Sequence, residues 1–183
     1  LRMLEGTDRA PDEVVAVVPP DLTPATIEKV AINAVLAGCR PEYLPVVLAA
    51  VEAACTDGFN MHGLLATTWF AGPMVVVSGP VARDIGMNDA MNALGQGNRA
   101  NATIGRALQL IVRNVGGGRP GGVDRATLGN PGKYTFCFAE TPPADSDWPN
   151  QAVELGEDPA GSAVILVAAE GVRVNAVRPG IIA

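Results

Sequence analysis

Aromatic residues are scarce, at 4% of 183 residues, so Val, Ala, Leu and Ile must build the core. Basic residues are also few. There are 13 Lys and Arg against 19 Asp and Glu, the net charge is −6 and the pI is about 4.7. An acidic chain without a basic stripe argues against nucleic acid as the main partner. No apolar run approaches the ~20 residues that span a bilayer, which argues against a membrane span. Residues 1–20 carry Asp8, Asp12 and Glu13 and lack the layout of a signal peptide. The three cysteines are odd in number and widely spaced. That argues against a disulfide framework and fits a reducing, cytoplasmic compartment. His62 is the sole histidine, so any conventional Ser-His-Asp or Cys-His catalysis would have to use it. Cys39, Cys55, Cys137 and His62 add up to the ligand count of a Cys₃His zinc site. None of them form a closely spaced pair, so no metal site is expected, and no cofactor is indicated. The chain begins with Leu1, as a processed product, a fragment or the second half of a longer protein would.

What is present is apolar and punctuated. Hydrophobic residues make up 48% and charged residues 17%, and the length suffices for one domain with a substantial core. Leu1 to Pro11 reads as a polar lead-in. Short β-branched runs predict strands at Glu13–Val18, Met74–Ser78 and Ala163–Ala169, with further strands at Leu64–Thr68 and Lys133–Ala139. Arg99–Val115 predicts an amphipathic helix with Asn98 as its N-cap and Ala100, Ile104, Ala107, Leu108 and Ile111 on one face. Val81–Gly86 reads as a helical turn, Met87–Gly97 and Glu140–Pro149 as loops, and 172–183 as a tail or edge strand. Strands alternating with helices predict a single α/β domain with a largely buried mixed or parallel sheet, its strand order unreadable.

The chain is organised around Thr23–Asp57, which reads as two helices joined at Cys39. Thr23 would cap the first and Pro24 would open it, with Ile27, Val30, Ala31, Ala34 and Val35 as the buried stripe. Gly38 suits a left-handed stop. Pro41 then opens a second helix, with Glu42 in its first turn and Leu44, Val47, Leu48 and Val51 buried. Cys39 thus sits beside a helix N-terminus with Arg40 adjacent, two features that favour the nucleophilic thiolate. The competing reading is a small buried side chain in a tight corner.

Two glycine-rich segments are further candidates. In Gly95–Asn101 (GQGNRAN), backbone N–H groups at a helix start could face an anion, with Asn98, Arg99 and Asn101 adding donors. The competing reading is an Asn cap after a turn. Gly116–Lys133 is either a functional loop or a mobile surface loop, with Arg119, Arg125 and Lys133 as candidate carboxylate or phosphate contacts.

Three stretches, AGCRPEYLPVVLAAVEA, GNRANATIGRALQLIVRNVGGGRPG and TLGNPGKYTFCFAE, resemble the poorly characterised domain that accompanies UGSC-motif (seleno)proteins, where U is selenocysteine or its Cys replacement. The resemblance spans Pro11 to Gly171. It implies a partner domain or chain carrying the Cys/Sec-Gly-Ser-Cys motif, and an oligomer. It also implies thiol redox or sulfur chemistry. No Cys-Gly-Ser-Cys occurs here, so this chain would supply half a site. The resemblance points to Cys39, Arg40 and Glu42 as the catalytic group, with Cys39 the nucleophile or redox thiol. Asn98, Arg99, Asn101 and Lys133 would hold a small anionic substrate. The expectation is therefore a domain of a thiol-dependent oxidoreductase, and the alternative is a non-catalytic small-molecule-binding or assembly partner.

Overall fold

The computed structural model describes residues 2–142 and 147–170. The expected tail over 172–183 and the middle of the 140–150 loop lie outside them. Among the described residues two small sheets and six α-helices form a mixed α/β architecture.

Chain entry is less of a lead-in than its polarity suggests. Arg2–Gly6 forms a 3-10 turn whose Met3 is buried. A Cβ at Gly6 would collide with the carbonyl oxygen of Pro41, so the turn packs directly on the Cys39 corner. Strand β1 (Val14–Val18) then pairs antiparallel with β2 (Thr23–Thr26).

That pairing moves the start of the first helix. Thr23 and Pro24 pair with Val18 and Val17 in the sheet, and helix α1 runs Ile27–Ala37 with Thr26 as its cap, its side chain accepting from Lys29 N. The local signals at the two threonines are alike, and strand pairing decides between them. Ile27, Val30, Ala31 and Ala34 are buried as the spacing predicts, whereas Val35 is exposed and Asn33 takes a buried place. Gly38 adopts φ 95° and closes α1, its N–H reaching Val35 O.

A 3-10 turn at Pro41–Tyr43 leads into α2 (Leu44–Ala54), which buries Leu44, Val47, Leu48 and Val51. Of the expected strand at Leu64–Thr68, Leu64–Ala66 instead ends helix α3 (Met61–Ala66), and Thr67 and Thr68 follow it as non-strand residues. Asn60, in the left-handed region, caps it by accepting from Gly63 N. The run is too short for periodicity to separate helix from strand, and the cap settles it.

The second sheet has the order β4-β3-β5. Its centre is β3 (Gly72–Ser78), buried nearly throughout. Strand β4 (Cys137–Glu140) lies parallel to it and β5 (Ala163–Ala169) antiparallel. The segment Lys133–Phe136, expected to be strand, starts as a 3-10 turn over Pro131–Lys133 and joins the ladder only at Cys137. Short helices α4 (Pro80–Asp84) and α6 (Gln151–Glu154) flank the sheet's connections.

Helix α5 (Arg99–Asn114) packs against α1, α2 and β4, and buries Ala100, Ile104, Ala107, Leu108 and Ile111. Its approach to β4 requires Gly105. A Cβ there would stand 2.8 Å from Phe136 N and 3.0 Å from Cys137 Cβ.

Candidate functional site

Cys39 follows the left-handed Gly38 and donates its backbone N–H to Ala34 O at 2.9 Å. Its side chain is 7% exposed, and Sγ lies 3.4 Å from the carbonyl oxygen of Thr103 in α5. Burial pushes the thiol pKa up, offset in part by Thr103 and by the charge of Arg99. The sequence places a helix start and Arg40 beside this sulfur as thiolate-stabilising features. In the fold the neighbouring cation is Arg99, and desolvation outweighs it. Arg40 and Glu42 are exposed, with no side-chain partner among the described residues.

The candidate anion-binding residues are mostly engaged in holding the fold. Asn98 accepts from Asn101 N at 3.0 Å and donates to Gly86 O at 2.8 Å. Asn101 is buried and anchors the 87–97 loop. It accepts from Asn88 N and donates to Asn88 O and Ala93 O. Arg99 donates Nε–H to Gly38 O at 2.8 Å.

Lys133 pairs with Asp124 at 3.1 Å, both side chains largely enclosed. The long glycine-rich loop is likewise pinned to the body. Arg125 N donates to Leu65 O, Thr127 N donates to Thr68 O, and the Asn130 side chain donates to Phe70 O.

These anchors shape a cleft of about 340 Å³ between the 87–97 loop, the start of α5, the Asn130–Gly132 turn and the start of β4. Leu94, Gly95, Ala102, Asn130 and Phe136 line it, and Cys137 forms part of its wall. Two segments chosen from sequence, GQGNRAN and NPGKYTF, therefore do meet. The residues that face the space between them are chiefly the apolar and backbone ones. Leu94, Ala102, Thr135 and Phe136 are additions that sequence reasoning missed. The only signal for them was glycine on either side of the cleft, at Gly95 and Gly132.

Glu170 is the one charged side chain in the described lining. Cys137 is fully enclosed, and burial holds its thiol far above the ordinary value, with Gly105 opposing and nearby Cys39 adding to the effect. Cys39 and Cys137 thus flank the first turns of α5, contacting Thr103 and Gly105 respectively.

A larger hollow, about 550 Å³, lies where the parallel strands β3 and β4 end, lined by Gly79, Arg83, Glu140 and Asn150 among others. Its Glu140 is committed to accepting from Gln151 N at 3.0 Å. His62 is exposed and Cys55 half-buried. Among the described residues no group of three or more His, Cys, Asp or Glu side chains converges to hold a metal ion. No helix among them is long and apolar enough to cross a membrane. No protein-family profile, no curated protein and no solved structure matches the chain.

Proposed function

We propose that this chain is a small-molecule-binding domain that works beside a UGSC-type partner and contributes a preformed cleft rather than an activated thiolate. The observation that carries this reading is the cleft between the Gly95 loop and the Asn130–Gly132 turn, held open on both sides by side-chain-to-backbone hydrogen bonds. Its size falls in the range of small-ligand sites, and its mix of apolar wall and few polar groups is typical of them. Among the described residues the lining supplies one carboxylate and no cation. It therefore suits a neutral or cationic ligand better than the anion suggested by the sequence.

A thiol-dependent reaction is the second reading. One observation favours it: a cysteine, Cys137, stands in the cleft wall, with Cys39 next to it and Arg99 close enough to influence Cys39. The protonated state favoured by burial weighs against it, because the thiolate is the reactive form.

The binding reading is tested by saturation-transfer NMR with a mixed set of neutral, cationic and anionic fragments. Ala102 is exposed and lines the cleft, so Ala102→Trp fills the space with little disturbance of the core. Binding of neutral or cationic fragments that Ala102→Trp abolishes is the expected result. Binding that survives Ala102→Trp unchanged, or no binding at all, contradicts the cleft assignment.

A further inference from the structure

Helix α5 contains Arg99, Arg106 and Arg113, and no Asp or Glu. A spacing of seven residues is nearly two helical turns, so the three form one row about 10.5 Å apart along the helix. All three are exposed. Arg106 and Arg113 have no ion-pair partner among the described residues. A short basic row therefore exists in a chain of net charge −6, although the overall composition suggests none.

Helix α1 runs antiparallel beside this row. Gly38 at its end meets Arg99 and Thr103, while Asn33, five residues earlier, accepts from Asn114 at 2.8 Å. The outward side of α1 is apolar: Ile32 is 47% exposed, Val35 57% and Leu36 63%. These positions are i, i+3 and i+4, one contiguous stripe. A hollow of about 270 Å³, lined by Lys29, Ile32, Asn33, Asn114 and Val115, deepens the seam between the two helices.

We propose that the α1–α5 face docks an amphipathic, acidic helix from a partner protein. Its apolar side covers Ile32, Val35 and Leu36, and carboxylates two turns apart meet Arg106 and Arg113. The charge pattern selects this occupant. An exposed apolar stripe on α1 and exposed arginines at helical spacing on α5, the helix packed beside it, complement a helix with the same periodicity and the opposite charge. A second copy docking through the same face fits less well, because α5 has no acid and Glu28 is the only one on the exposed side of α1.

The probe is a synthetic helical peptide of about five turns with Leu on one face and Glu beside it. Two controls replace Glu by Lys, or Leu by Ser. Affinity is read by fluorescence anisotropy with the intact chain, and far-UV circular dichroism confirms that each variant is folded. The Leu/Glu peptide is expected to bind, more weakly as salt rises, and the controls are not. Leu36→Glu and the Arg106→Glu, Arg113→Glu double variant each weaken binding roughly tenfold or more. Equal binding of the Ser control or of the variants overturns the proposal. So does preference for phosphatidylserine vesicles over the peptide, or self-association of the chain that Leu36→Glu abolishes.

Discussion

Arg99, the first residue of α5, donates Nε–H to the carbonyl oxygen of Gly38 at 2.8 Å. This bond ties the end of α1 to the start of α5 and sets a positive charge near Cys39. Arg99 thus satisfies one of the carbonyls that a helix end leaves open. Arg99→Met keeps the stem and removes the bond. Its expected cost is about 1 kcal/mol in urea unfolding, with the Cys39 thiol moving further up on spectrophotometric titration.

Asn101 holds the cleft's outer loop by three hydrogen bonds from a buried position. Asn101→Ala leaves the Asn88 and Ala93 backbone groups without that partner. Stability is expected to fall by about 2–3 kcal/mol. Hydrogen exchange should accelerate at Asn88 and its neighbours before it changes in the rest of the fold, because the loop opens locally.

Lys133 and Asp124 form an enclosed ion pair. Breaking such a pair from one side strands a charge, whereas replacing both partners by apolar groups is often nearly neutral. Lys133→Met is expected to cost about 3 kcal/mol or more, and the Lys133→Met, Asp124→Leu double variant to recover most of it. A lysine serving a substrate anion instead would leave stability intact and change ligand affinity alone.

Burial raises all three thiols, Cys55 from 9.0 to about 11. Above pH 9 the unfolded chain loses thiol protons that the folded chain keeps. The unfolded state then binds fewer protons, and stability declines until pH passes the folded value. Half-buried Cys55 contributes to that decline between its ordinary value and about 11. Unfolding free energies measured across this window are expected to fall less steeply in Cys55→Ala than in the unsubstituted chain.

How much was legible follows from the length of each signal. Helix α5 carries four turns of regular apolar spacing and an Asn cap, and its bounds were readable within a residue. Strands β1, β3 and β5 announced themselves as β-branched runs. The errors lie where local signals tie. Thr23 and Thr26 are both plausible caps, and pairing with β1 selects Thr26. Residues 61–66 are too few for a period.

The candidate site was half legible. Glycine and asparagine marked both walls of the cleft, but composition does not say whether Asn101 faces a ligand or its own loop. Cys39 at a helix start next to Arg40 leaves two readings open, an activated thiolate and a small buried side chain, because sequence adjacency cannot reveal desolvation. Once α5 covers that corner, burial dominates the thiol.

We propose that this chain offers a binding cleft with one buried, protonated thiol, Cys137, in its wall and a second, Cys39, close to it. Site-resolved alkylation of the native protein with iodoacetamide across pH, read by mass spectrometry at each cysteine, tests it most directly. Cys39 and Cys137 are expected to stay unmodified at neutral pH until denaturant unfolds the chain, with Cys55 the first to react. Rapid modification of native Cys39, with an apparent pKa below the free-thiol value of about 8.5, would contradict the account and move the chemistry back to that thiol.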